Sequence, residues 1–267
     1  MEEAMRRESF QTPGPLLLNV RIPSGRIELE AVDGNETVVE LDATPEVEEE
    51  TRIELRPRRD GHELVVAVEK RSGFFRAFSG DIRLRITAPA GADVETSSAS
   101  ADLEARGSFG SLEAQSASGD VEFEQLAGDA QVQSASGDVK LSRVDGSLTA
   151  NTASGDLEIG RLGGDGKIRA ASGDISIGEA GGSLKVQTAS GDQEIGSVSE
   201  GEITLQTASG DIELGIKKGS KLWIDAKSMS GETSSELDVT DAPPDGDGPS
   251  VEVRATAMSG DIRVKRA

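Results

Sequence analysis

The chain has 267 residues and a formal net charge of −21, with 35% hydrophobic residues, 3% aromatics, 32 glycines and no cysteine. So acidic a balance excludes the basic face that a phosphate backbone requires, and the absence of thiols excludes a disulfide framework and a thiolate metal site. Low hydrophobicity with high charge would also fit a disordered chain, but the apolar residues recur so regularly that a thin, continuous core is the better reading.

In chain order, residues 1–13 are expected to be disordered. The run Leu16–Leu18 is too short for the apolar core of a signal peptide, and no segment approaches the roughly 20 apolar residues of a membrane span. The expected location is therefore cytoplasmic, with no transmembrane segment. Residues 14–88 read as short alternating strands (LLLNVRI, RIELEAV, ETVVELDA, RIELRP, HELVVAVE) separated by Gly, Pro and Asp turns. They predict an N-terminal β cap and the first irregular rungs. Near the end of this region Phe74, Phe75 and Phe78 stand among Lys70, Arg71 and Arg76. Exposed, this segment would dock a partner or an anionic membrane surface; tucked in, its rings would cap the hydrophobic end of the stack, which is the preferred reading.

Residues 89–237 carry the dominant signal, an internal repeat. The motif aspartate falls at Asp102, Asp120, Asp138, Asp156, Asp174 and Asp192, always 18 residues apart, then at Asp211, Glu232 and Asp261 after longer steps. Apolar columns keep the same step: Ala114, Val132, Ala150, Ile168 and Val186 in one, Phe123, Leu141, Ile159, Ile177 and Ile195 in another. Spacing of two within each segment is the strand period, and a Gly-containing corner returns every nine residues. The predicted fold is all-β: a parallel β-helix or β-solenoid with 18-residue rungs, each of two nine-residue sides. An antiparallel meander of nine-residue units is the alternative. The small column Ala117, Ala135, Ala153, Ala171, Ala189 and Ala208 would line the tapered edge of the coil. Residues 238–250, DVTDAPPDGDGPS, read as a loop, and 251–267 as a strand closing the array, the whole forming one continuous domain.

The recurrent SASGDV, TASGDL and TASGDI segments, the early SGRIEL and the closing MSGDIRV resemble the bacterial putative-adhesin family of β-strand-repeat domains of unknown function. The likeness spans roughly residues 14–266. It implies a parallel β-helix with a non-catalytic role and association with the cell surface.

Asp120, Asp138, Asp156, Asp174, Asp192 and Asp211 would form a row of carboxylates about 4.8 Å apart. Like charges so placed repel by roughly 1 kcal/mol in water. The favoured account has these side chains capping backbone N–H groups of the turns. The sharper one has Ca²⁺ held between rungs by the carboxylates and corner carbonyls. No other cofactor is implied. The serine column, Ser118 to Ser209, lacks an adjacent base, since His62 is the only histidine. A glycosidase needs one distinguished carboxylate pair, whereas here every rung offers the same groups; no catalytic residue is assigned. Thr152, Thr188 and Thr207 do not make an ice-binding array, because Ser116, Ser134 and Ala170 break their column. The sequence thus points to a non-enzymatic binding or scaffold module for a protein or surface partner. The alternatives are a purely structural, self-assembling element and, less favoured, a polysaccharide-acting enzyme.

Overall fold

The computed structural model describes residues 5–68, 82–237 and 250–267, and the structural statements below concern these. Lys70, Arg71, Phe74, Phe75, Arg76 and Phe78 lie outside the described residues, as do residues 238–249 of the Pro/Gly/Asp loop. The chain divides into two compact units, residues 1–128 and 129–267.

In the first unit the alternating apolar pattern builds β1 (Arg6–Gln11), β2 (Leu16–Val32), β3 (Glu36–Asp42), β4 (Thr51–Arg58), β5 (Gly61–Val68), β6 (Arg83–Pro89), β7 (Asp93–Phe109), β8 (Leu112–Ser116) and β9 (Val121–Leu126). One short helix, α1 (Pro45–Glu50), interrupts them; Val47 is its buried residue, and Thr51 Oγ1 donates to the Val47 carbonyl at 2.6 Å. β2 turns a corner at Gly25, whose φ of 111° places it in the left-handed region. Its first half pairs in parallel with β5, its second half with β6, and nearly its whole length with β7. β7 then carries β8 and β9. The first coil of the chain is therefore interior, and the later β5 and β6 are laid on its outer side. Antiparallel strands follow: β4 on β5, β3 on β6 and β1 on β3. A reversal of strand direction ends the parallel stack and covers its edges. β1 corrects the expectation of disorder over residues 1–13. Its residues 6–11 pair with β3, and Thr12 and Thr37 share a buried hydroxyl contact of 2.7 Å. In the core of this unit Phe109 and Phe123 pack edge-to-face at 5.8 Å.

The second unit alternates two sides. β10 (Ala130–Ser136), β12 (Leu148–Ser154), β14 (Gly166–Ser172), β16 (Leu184–Ser190) and β18 (Gly201–Ser209) stack on one. β11 (Val139–Val144), β13 (Leu157–Leu162), β15 (Ile175–Ala180), β17 (Gln193–Val198) and β19 (Ile212–Ile216) stack on the other. Strands 18 residues apart are parallel neighbours in register, Ala130 with Leu148 and Leu157 with Ile175. This is the solenoid and not the meander. Val132, Ala150, Ile168, Val186 and Leu205 form one fully buried column, and Leu141, Ile159, Ile177, Ile195 and Leu214 face them as a second.

Two expectations change. The Ala column does not line the tapered edge: Ala135, Ala153, Ala171, Ala189 and Ala208 are exposed. Alternation runs on through Ser134, Thr152, Ala170, Thr188 and Thr207, which are buried there instead. Nor does the last strand close the stack. β22 (Ser250–Ser259) and β23 (Ile262–Arg266) lie between β18–β19 and the pair β20 (Lys221–Ser228) and β21 (Thr233–Ser235). The rung nearest the C-terminus in sequence is second to last in space.

Candidate functional site: the aspartate edge and the outer faces

Each Ser-Gly-Asp corner is shaped by its glycine. Gly155, Gly173, Gly191 and Gly210 have φ between 115° and 138°, and a Cβ on Gly173 would sit 2.2 Å from the Gly155 carbonyl oxygen. Such tight corners bring successive aspartates over one another. Oδ1 of Asp138 accepts the backbone N–H of Asp156 at 2.8 Å, Asp156 that of Asp174 at 2.9 Å, and Asp174 that of Asp192 at 2.8 Å. The ladder continues from Asp192 to Asp211 and from Asp211 to Asp261, each at 2.7 Å, and ends with Asp261 to Glu232 at 2.8 Å. In the first unit Asp102 receives Asp120 at 3.2 Å.

These bonds explain how a column of like charges persists. A corner N–H points along the stack with no strand partner, and an ionised acceptor is the strongest group to receive it. The capping reading is correct in kind, but the bond runs between rungs and not within a turn. Asp120, Asp138, Asp156, Asp174, Asp192 and Asp211 thus lie on Ser-Gly-Asp corners as predicted. Among the described residues, no three acidic or imidazole groups converge to hold a metal ion.

The opposite corner carries a second ladder that the repeat pattern did not reveal. Asp93 Oδ1 accepts both the N–H and the hydroxyl of Ser111 at 2.8 and 2.7 Å. In the second unit Asp129 accepts the Ser147 N–H at 2.7 Å, and Asp165 that of Ser183 at 2.9 Å. The signal was available, since positions 93, 111, 129, 147, 165 and 183 read Asp, Ser, Asp, Ser, Asp, Ser. Alternation halves the charge while keeping an acceptor or donor at each level.

The two outer faces of the second unit differ in kind. On the β11 side the first outward column runs Lys140, Glu158, Ser176, Glu194, Glu213 and Arg263. Its cations are paired: Lys140 with Glu158 at 3.6 Å, Arg143 with Asp145 at 2.7 Å, Arg161 with Glu179 at 3.7 Å, and Lys265 with Glu213, which raises the lysine pKa through the hydrogen bond. On the β10 side the first outward column runs Gln131, Thr149, Lys167, Lys185, Thr204 and Arg254. The second runs Gln133, Asn151, Arg169, Gln187, Gln206 and Thr256. Between β10 and β18 neither column contains a carboxylate; beyond them Arg254 pairs with Glu202 at 2.9 Å and Glu252 at 2.5 Å, and Asp225 follows it on β20.

Ser136, Ser154, Ser172, Ser190 and Ser209 are all exposed at strand ends, and His62, in the first unit, has a buried Nδ1 without a hydrogen-bond partner. Between Asp192 and Asp211, where the repeat step lengthens, Ser220 Oγ donates to the Ser199 carbonyl at 2.7 Å. A cleft of about 650 Å³ in the first unit brings Arg26, Arg83 and Arg85 among Glu28, Glu40, Asp42 and Asp102. Arg85 is already held by Glu28 at 2.7 Å, which raises its pKa.

The fold and its ladders define a β-solenoid repeat protein. The family described as Toastrack DUF4097 matches residues 105–265, and the chain belongs to that family. Three solved structures are similar over nearly full length at low identity. A putative adhesin from Parabacteroides distasonis shares 13% identity, with 98% of each chain covered and a TM-score of 0.45. One from Bacteroides fragilis shares 14%, covering 100% of this chain and 98% of that one, with a TM-score of 0.44. A putative cell adhesion protein from Clostridium sporogenes shares 12%, with 99% of each covered and a TM-score of 0.30. No curated protein matches the chain. Among the described residues no helix is long and apolar enough to cross a membrane.

Proposed function

We propose that this chain is a non-catalytic, adhesin-like binding module that engages a surface partner through many weak contacts on its stacked rungs. The observation that carries the reading is the β10 face of the second unit, where outward side chains of equivalent position recur strand upon strand in register. A ligand that spans several rungs meets a polar or cationic side chain at the same place on each, and the linked contacts multiply in avidity. The aspartate edge serves this face by fixing the register of the rungs.

Excision of one rung, residues 148–165, keeps the 18-residue register and should leave a folded chain. Retention of wild type on isolated bacterial envelopes, with several-fold weaker retention of the shortened chain, is the expected result. Equal retention of both would remove multivalency from the reading. No retention of the wild type would overturn it, and new reducing ends released from envelope glycans would replace it with an enzymatic one. Mass that grows with concentration in light scattering would favour self-assembly.

A further inference from the structure

We propose that the β10-side patch around Lys167, Arg169 and Lys185 binds a linear acidic polysaccharide, an inference that rests on the binding-module reading and gives it a ligand class. The chain holds 49 acidic residues against 28 basic ones, so a cation on its surface has carboxylates in excess to pair with. On the β11 face Lys140, Arg143, Arg161, Arg263 and Lys265 do pair. Lys167, Lys185 and Arg169 do not: among the described residues they form no ion pair, and Arg169 Nε reaches only the neutral Gln187 Oε1, at 3.4 Å. Lys167 and Lys185 stand on adjacent strands in register, about 4.8 Å apart along the stack. Like charges so placed repel, and an anionic group set between them removes that repulsion.

The surroundings select the kind of anion. Asn151, Gln187, Gln206, Thr149 and Thr204 flank the three cations with amides and hydroxyls, and Gln187 Nε2 donates to Gln206 Oε1 at 2.7 Å, which holds both side chains in line along the stack. Amide and hydroxyl groups recognise sugar hydroxyls, and the ammonium and guanidinium groups recognise uronate or sulfate. Neither column offers an aromatic ring on which a nucleobase could stack. The acidic edges do not forbid the approach, because at physiological ionic strength screening acts over about 8 Å and the local face governs.

Polygalacturonate and chondroitin sulfate, with neutral dextran as control, are run in affinity gel electrophoresis against the whole chain and two variants of equal net charge. The first variant is K167Q/R169Q/K185Q, which introduces the residue already stacked at positions 131, 133, 187 and 206. The second is K140Q/R143Q/R161Q, on the other face. Wild type and the second variant should be retarded alike by an acidic polymer and pass dextran freely. The first variant should bind about tenfold more weakly or worse, as three exposed charge contacts would supply, with unchanged circular dichroism. Retardation by polygalacturonate shows that uronate suffices, whereas retardation by chondroitin sulfate alone, which carries uronate as well, assigns recognition to sulfate. Equal loss in both variants, or equal competition by oligo(dT), would overturn the inference. So would retardation that disappears on dilution together with a doubled mass, since the occupant would then be a second copy. Failure of both acidic polymers to retard wild type that still adheres to envelopes would sink the polysaccharide and leave the module standing; loss of adherence as well would sink both.

Discussion

The two units solve the same problem, stacking charged coils, in opposite ways. In the second unit the corner aspartates lie over one another, like charge on like, and the edge is held because each receives the N–H of the next corner, while ion pairs are left to the outer faces. In the first unit the pattern is irregular and charges pair across strands or along them: Arg85 with Glu28, Arg21 with Glu95, Arg106 with Glu104. Repetition gives the second unit backbone-level order at the cost of self-repulsion; irregularity gives the first unit neutral pairing and strands that reverse to end the stack. The difference shows that stability in the repeat rests on main-chain geometry, whereas charged side chains in the irregular unit act as local pairs of small individual worth.

The contrast can be tested from its strongest feature downward. Phe123→Ala removes one of two packed rings from the first unit's core and should cost about 3–5 kcal/mol in urea unfolding; an unchanged midpoint would mean the rings do not carry that core. In the second unit Gly173→Ala should cost about 2 kcal/mol or more, because left-handed strain of roughly 1–2 kcal/mol adds to the clash with the Gly155 carbonyl. Gly34→Ala is the matched control in the first unit, since its φ is also positive but a Cβ there meets nothing within 4 Å; equal losses at both sites would show that the close approach of rungs is unimportant. Asp174→Ala should cost about 1 kcal/mol by freeing the Asp192 N–H. Asp174→Asn keeps the oxygen acceptor and relieves repulsion, so at low salt its melting temperature should equal or exceed wild type, and added salt should shrink any gain. A loss as large as that of the alanine variant would show that the charge, not the acceptor, holds the edge.

The smallest effect belongs to the exposed pairs of the first unit. The hydrogen bond from Arg56 holds the Glu54 carboxyl below its ordinary pKa. Its folded pKa being the lower, the contribution is complete above the ordinary carboxylate value and disappears as pH falls through the depressed one. Glu54→Gln should accordingly leave the melting temperature at pH 7 unresolved from wild type and slightly flatten its fall in acid. A clear drop at pH 7 would mean that the first unit depends on its ion pairs after all.

The candidate site was legible in part. The aspartates announce their column by spacing alone, because a fixed step in sequence becomes a fixed height in a coil. The second ladder hid behind its own alternation, Asp129 with Ser147 and Asp165 with Ser183, since the acceptor and the donor of each bond are different residue types and neither recurs at every rung. The unpaired cations Lys167, Arg169 and Lys185 were invisible in sequence for another reason. Their neighbours Thr149, Asn151, Thr204 and Gln206 come from other rungs, and only stacking shows that amides and hydroxyls flank them there.

By itself the sequence determined the rung: its 18-residue length, its two sides, its glycine corners and the buried columns from Val132 to Leu205. Strand alternation and left-handed glycine are local constraints, readable wherever they recur. Tertiary structure decided the order of the rungs and the direction in which marginal residues face. Every rung presents the same pattern, so spacing cannot say which stacks on which. β22 and β23 pass between earlier rungs, and the aspartate ladder follows them, from Asp211 to Asp261 to Glu232. Ala153 faces water and Thr152 the interior because the strand keeps its alternation up to the corner. Gln193, set in the apolar column of Leu157, Ile175 and Ile212, is buried because Thr188 Oγ1 and the Gln206 carbonyl receive its amide, partners that only the closed coil supplies.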